Sequence, residues 1–99
     1  MIGIDQAAIA RFNGKHDVTE DQQFKALVEE VGELSEALYT DGTDEQVAEE
    51  LADVLFVARS LAELRDIDIG KELNTVIEEN IQKDESTDGE KVTKEGLKL

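Results

Sequence analysis

The sequence predicts an all-α protein, a helical bundle completed by oligomerisation. Proline is absent and strand-like alternation nearly so. Apolar residues recur at i, i+3, i+4 and i+7 through long segments, the period of a helix with one buried face. Two hydroxyl-x-x-glutamine sequences, Thr19 to Gln22 and Thr43 to Gln46, have the pattern of a capping box, in which hydroxyl and amide satisfy free backbone groups at a helix start.

A short first helix is expected over about residues 5–12, with Gly14 placed to end it. The second is expected over 20–39, opened by Thr19, with Phe24, Leu27, Val28, Val31, Leu34 and Leu38 as its apolar stripe. The third, opened by Thr43 after a short turn at Asp41 and Gly42, is expected over 44–65, with Val47, Leu51, Val54, Ala58, Leu61 and Ala62 facing inward. Phe56 and Val57 widen its apolar surface beyond what one neighbouring helix covers, which suggests a second subunit. A fourth helix follows the turn at Asp66 and Asp68, over about 69–82, using Leu73, Val76, Ile77 and Ile81. Residues 1–83 thus form the domain. Residues 84–99 form a polar tail, disordered or a loose hairpin around Asp88 and Gly89.

Composition removes several functions. A chain of 99 residues makes one small domain with a modest core, so partner subunits are expected. With 25 acidic against 10 basic residues the formal charge is −15, which disfavours nucleic acid and anionic membranes as partners. The same acidity suits a salt-rich cytoplasm. Cysteine is absent and histidine occurs once, so neither thiolate chemistry nor a histidine-rich metal site is available. The start of the chain lacks a basic stretch followed by an apolar one, and no apolar run approaches the ~18 residues that span a bilayer. A cytoplasmic location is expected.

The most informative residues are four acids in two pairs, Glu30 with Glu33 and Glu50 with Asp53. Spacing of i and i+3 places each pair one turn apart on one helix face, about 5–6 Å between β-carbons. No Lys or Arg stands one turn from any of them. All four border apolar stripes on consecutive helices, and an antiparallel hairpin brings the two edges together. Such carboxylates, packed against each other, either hold protons or bind a hard divalent ion such as Mg²⁺.

The pairs occur within Glu29-Glu30-Val31-Gly32-Glu33 and, after sixteen intervening residues, Glu50-Leu51-Ala52-Asp53. Together with the flanking Leu27-Val28 and Leu34-Ser35-Glu36-Ala37, these elements resemble the MazG-like branch of the all-α nucleoside triphosphate pyrophosphatases over roughly residues 20–83. That resemblance implies a nucleotide pyrophosphohydrolase cleaving a ribo- or deoxyribonucleoside triphosphate to the monophosphate and pyrophosphate. Glu30, Glu33, Glu50 and Asp53 are then the ligands of Mg²⁺, with Mn²⁺ as a substitute, and Glu33 or Glu30 orients or deprotonates the attacking water. Glu29 and Glu49 are then outer-shell or solvent-facing residues. A homodimer or homotetramer is expected.

Asn80 and Lys83 match the family's Asn-x-x-(Arg or Lys) element and are expected to meet the phosphates. Val76 stands where a Lys is common, leaving Lys71, Lys91 and Lys94 as substitutes. For the nucleobase, Phe12, His16, Tyr39 and Phe56 are the available rings, with Phe12 and Phe56 expected in the core and His16 in solvent. The phosphoribosyl-ATP pyrophosphatases share the acidic framework but often carry a His where Val57 stands. A different class of reading is a non-catalytic acidic helical adaptor, in which the carboxylates serve only solubility.

Overall fold

A computed structural model describes residues 6–87. Among these the structure is entirely helical: α1 (Gln6–Lys15), α2 (Glu20–Tyr39), α3 (Asp44–Leu64) and α4 (Ile69–Thr87). The chain divides after Ile67 into two compact units, the first holding α1, α2 and α3 and the second α4. No helix among the described residues is long and apolar enough to cross a membrane.

Both expected capping boxes are present. The Thr19 and Thr43 hydroxyls accept from the Gln22 and Gln46 amides, and the glutamine side chains accept in return from the threonine N–H groups. These bonds satisfy donors that the first helical turn leaves free.

The helix ends follow a different rule from the one expected. Gly14 lies inside α1, which continues to Lys15. Each of the first three helices instead ends on an aspartate in the left-handed region: Asp17 at φ 48°, Asp41 at 61° and Asp66 at 56°. The next residue's N–H then bonds back five residues, Val18 to Asn13, Gly42 to Ala37 and Ile67 to Ala62, at 2.9–3.0 Å. This is the Schellman arrangement, and aspartate tolerates its left-handed position better than most residues. Gly42 has a separate reason to be glycine, because a β-carbon there would stand 2.2 Å from the Ala37 carbonyl oxygen.

In the first unit α2 and α1 both pack against α3. Ile9, Val57 and Ala62 form its apolar centre. Val57 therefore belongs to the chain's own core, not to a surface left for a second subunit. The apolar surface that remains open lies elsewhere, on Phe24, Val28, Val31 and Leu38 of α2 and on Leu51 and Leu55 of α3, each about half exposed. The stripe expected on α2 thus splits: Leu27 and Leu34 turn inward, while the other four look out.

Beside that core, three polar side chains are buried: Asn13, Gln23 and Ser60, the last with no exposure at all. Gln23 Nε2 donates to Ser60 Oγ at 2.7 Å, and Ser60 Oγ donates to Asn13 Oδ1 at 2.5 Å. Asn13 Nδ2 donates to the Ser60 carbonyl at 3.0 Å and to Glu63 at 3.1 Å. All three helices of the first unit enter the network, α3 with both Ser60 and Glu63, which ties α1 and α2 to the same turn of α3. Arg59 adds a bond to Gln6 at 3.2 Å, and Arg65 pairs with Glu20 across α2 and α3.

In the second unit the Asp68 carboxylate caps α4 by accepting from the Lys71 N–H at 3.1 Å. The helix runs five residues past its expected end at 82. The hairpin expected at Asp88 and Gly89 lies outside the described residues, as do Lys91 and Lys94.

Candidate metal centre

On α2, helical periodicity places Glu30 on the side that carries Leu27, Leu34 and Ala37, all partly buried. On α3, Glu50 and Asp53 share the side of buried Val57, being seven and four residues ahead of it. Because these are the sides on which the two helices meet, the three acids converge. Each of Glu30, Glu50 and Asp53 contributes a carboxylate oxygen lying within 4.8 Å of the other two.

Two carboxylate oxygens of the trio are sealed from water. Glu30 Oε2 and Glu50 Oε2 have essentially no solvent exposure and no hydrogen-bond partner. Among the described residues they are the only buried side-chain polar atoms in that condition. A buried acceptor without a donor is costly, and a buried anion beside other anions more so.

The titration behaviour follows. Loss of hydration, first, and then hydrogen bonding and charge from Glu33, with further charge from Asp53 and Glu50, push the Glu30 carboxyl up to about 7. Glu50 is raised as well, by loss of hydration first and then by the charges of Glu33 and Asp53. Glu33 acts on both neighbours, so it completes the acid face although it lies outside the converging trio.

The donor set suits a hard divalent ion. All the candidate ligand atoms are carboxylate oxygens, two buried oxygens of Glu30 and Glu50 lack a hydrogen-bond partner, and a cation would relieve the mutual repulsion of the acids. Mg²⁺ keeps several waters and takes few carboxylates, which matches an acid face that is part sealed and part open.

Glu33 and Glu50 also line a cavity of about 340 Å³, together with Glu36, Ala37, Thr40, Gly42 and Gln46. The cavity lies at the α2–α3 turn, where the glycine required at position 42 allows the backbone to close tightly.

The remaining expected site residues are placed as follows. Glu29 and Glu49 are exposed. Asn80 and Lys83 stand three residues apart on α4, both partly buried, in the second unit, whereas the acidic trio belongs wholly to the first. Tyr39 is 83% exposed at the end of α2. Phe12 and Phe56 are not core residues: they meet edge to face, with ring centres 5.1 Å apart, at the surface of the unit.

Sequence reasoning passed over Asn13, Gln23 and Ser60. A signal for them exists, since Gln23 lies seven residues before Glu30 and Ser60 seven after Asp53, on the inward sides already identified. A polar residue at an inward register position announces a buried network or a ligand.

The model of the MazG nucleotide pyrophosphohydrolase domain matches residues 18–88, well over half of the chain and the whole of α2, α3 and α4. No curated protein and no solved structure matches the chain.

Proposed function

The chain belongs to the MazG nucleotide pyrophosphohydrolase family, and from that membership we propose a magnesium-dependent enzyme that converts ribo- or deoxyribonucleoside triphosphates to monophosphates and pyrophosphate. The observation that carries this reading is the convergence of Glu30, Glu50 and Asp53 with two sealed, unpartnered oxygens. A solvated acidic surface of the kind an adaptor needs has no reason to bury carboxylate oxygens without donors.

Glu30, Glu50 and Asp53, with Glu33 beside them, are the residues that would hold the cation. A bound divalent ion supplies the positive charge that lets an anionic substrate approach carboxylates, stabilises developing charge on the phosphoryl oxygens and makes a bound water more acidic. The chain's own part is to orient and to move a proton. Glu33 neighbours the trio without belonging to it and opens on the cavity, so it is the carboxylate best placed to take the proton of the attacking water. Glu30 is the second candidate, once the proton that it holds near neutral pH is displaced. The water oxygen bonds to the α-phosphorus, and the bond from that phosphorus to the α,β-bridging oxygen breaks. Pyrophosphate leaves with the electron pair.

Asn80 and Lys83 are proposed to meet phosphate oxygens, Lys83 by charge and Asn80 by its amide. The half-exposed apolar residues of α2 and α3 support a homodimer or homotetramer, because six large side chains left half open on one small unit exceed ordinary scattered exposure.

The test is pyrophosphate release from a panel of canonical and modified nucleoside triphosphates with Mg²⁺ or Mn²⁺, repeated with EDTA. Activity that disappears with EDTA and in Glu33→Gln and Asp53→Asn supports the reading. Silence across the panel from folded protein rejects it in favour of an adaptor.

A further inference from the structure

Phe12, His16 and Phe56 gather on the first unit at a place the acid chemistry does not use. The Phe12 and Phe56 rings meet edge to face at 5.1 Å, and the Phe12 and His16 rings are inclined with centres 4.8 Å apart. Ile9, three residues before Phe12 on α1, and Val57, next to Phe56 on α3, are buried at 7% and 6% exposure, which fixes the helices that carry the two phenylalanines. The rings themselves stay open, Phe12 at 38% and Phe56 at 39%. A T-shaped pair covers an edge and leaves ring surface uncovered.

Resting on the catalytic reading above, we infer that Phe12, His16 and Phe56 form the surface on which the nucleobase of the substrate lies. Continuity with the acid face selects this occupant. Phe56 follows Asp53 by three positions on α3, so its side chain stands just under one turn, about 4.5 Å along the axis, beyond a carboxylate of the trio. A nucleotide's α-phosphate and base are separated by one pentose, a span of the same order. A flat, uncharged π-system is also what three gathered rings accept without a charged partner. Three side chains are too few for a protein interface, which needs roughly 800 Å² from each partner. His16 is exposed and adds a ring nitrogen at the rim, able to hydrogen-bond a base edge. Phe12 and His16 precede the span matched by the family, so two of the three rings come from α1 and the turn that follows it, outside that match.

Steady-state kinetics on Phe56→Leu, Phe12→Leu and His16→Ala test the assignment, with inorganic tripolyphosphate as a base-free competitive inhibitor. KM for nucleoside triphosphates rises about tenfold in the phenylalanine variants, in line with the loss of one stacking partner, while kcat and the tripolyphosphate inhibition constant stay near the wild-type values. Phe56→Tyr, which keeps the ring, restores KM. An equal rise in KM and in the inhibition constant, or an unchanged KM in all three variants, overturns the proposal.

A second measurement works without turnover. Titration of the wild-type protein with AMP, CMP, GMP and UMP at millimolar concentration moves the His16 and phenylalanine ring proton signals upfield in NMR spectra. Ring signals that stay in place overturn the stacking surface. Absence of pyrophosphate release with these shifts present counts against the catalytic reading alone.

Discussion

The first unit contains two buried polar clusters, one helical face apart by two turns. On α2, Gln23 and Glu30 are seven residues apart, and on α3, Asp53 and Ser60 are too, so the same inward side of each helix serves both. Around Ser60 donors meet acceptors: amide donates to hydroxyl, hydroxyl to amide oxygen, amide to carbonyl and carboxylate. Around Glu30 and Glu50 carboxyl groups meet carboxyl groups, and two of their oxygens are sealed and unpartnered. The first cluster is complete as protein and fastens three helices. The second leaves buried carboxylate oxygens without a complement, and that is what marks it as the candidate site.

The largest effect expected from breaking this contrast is on the incomplete side. Asp53→Asn removes one charge and one anionic ligand, and pyrophosphate release falls by about a hundredfold or more, since loss of charge-stabilising groups costs on that order. The same variant loses the rise in melting temperature that millimolar Mg²⁺ gives the wild type through binding to the folded state. Retention of both the activity and the Mg²⁺-dependent melting shift in Asp53→Asn contradicts a metal role for the trio.

Next in size is the complete cluster. Ser60→Ala leaves Gln23 Nε2 and Asn13 Oδ1 buried without their partner, at about 1–3 kcal/mol for each orphaned group. The denaturant midpoint drops accordingly, while the Mg²⁺-induced shift in melting temperature persists. A midpoint within experimental scatter of the wild type shows that water or side-chain rearrangement replaces the hydroxyl.

How far these clusters were legible in the sequence depends on what kind of residue builds them. The four acids announce themselves, because carboxylates on an apolar border without a nearby cation contradict ordinary surface design. The two capping boxes are equally plain, being local and stereochemically closed. Helix ends were less so: Gly14 reads as a stop signal, yet the stop is Asp17, whose left-handed backbone depends on bonds from Val18 back to Asn13. Val57 reads as spare surface until α1 is seen to cover α3. Ser60, Gln23 and Asn13 carry no charge pattern, and only the crossing of three helices gives them partners. Local chemistry is written in the sequence, whereas which face meets which neighbour is decided by packing.

The pH response distinguishes the clusters by sign. For Glu30 the folded carboxyl titrates at about 7, above its unfolded value of 4.5. The native state therefore binds more protons than the unfolded chain between those values, and its stability falls as pH rises through that window. Metal-free wild type in EDTA is expected to melt at a higher temperature at pH 5 than at pH 8. General repulsion within a chain of formal charge −15 acts in the same direction, so the informative quantity is the difference from Glu30→Gln. That variant loses the Glu30 contribution and flattens the curve, and saturating Mg²⁺ flattens the wild type for the same reason, a cation doing what the proton did. Ser60→Ala lowers the whole curve without changing its slope between pH 5 and 8. Identical slopes for wild type and Glu30→Gln in EDTA show that the acid face sheds its repulsion into solvent.

The smallest effect expected is at the caps, and it serves as a control for the other three. Thr43→Ala removes a hydroxyl that accepts from the Gln46 N–H at 3.2 Å at the start of α3, an exposed bond seven residues before Glu50. Loss of such a cap costs about 1 kcal/mol, since water partly replaces the acceptor. Gln46 also lines the cavity beside Glu33 and Glu50, so loosening it tests whether the acid face depends on the exact start of its helix. The helix axis is fixed further along by Val57, Ala62 and the Ser60 bonds, well inside α3. Thr43→Ala is therefore expected to lower the melting temperature by a few degrees, with the Mg²⁺-dependent shift and the pH slope of the wild type retained. A Thr43→Ala protein that melts normally but no longer responds to Mg²⁺ would move the determinant of the site from the inner face of α3 to its first turn.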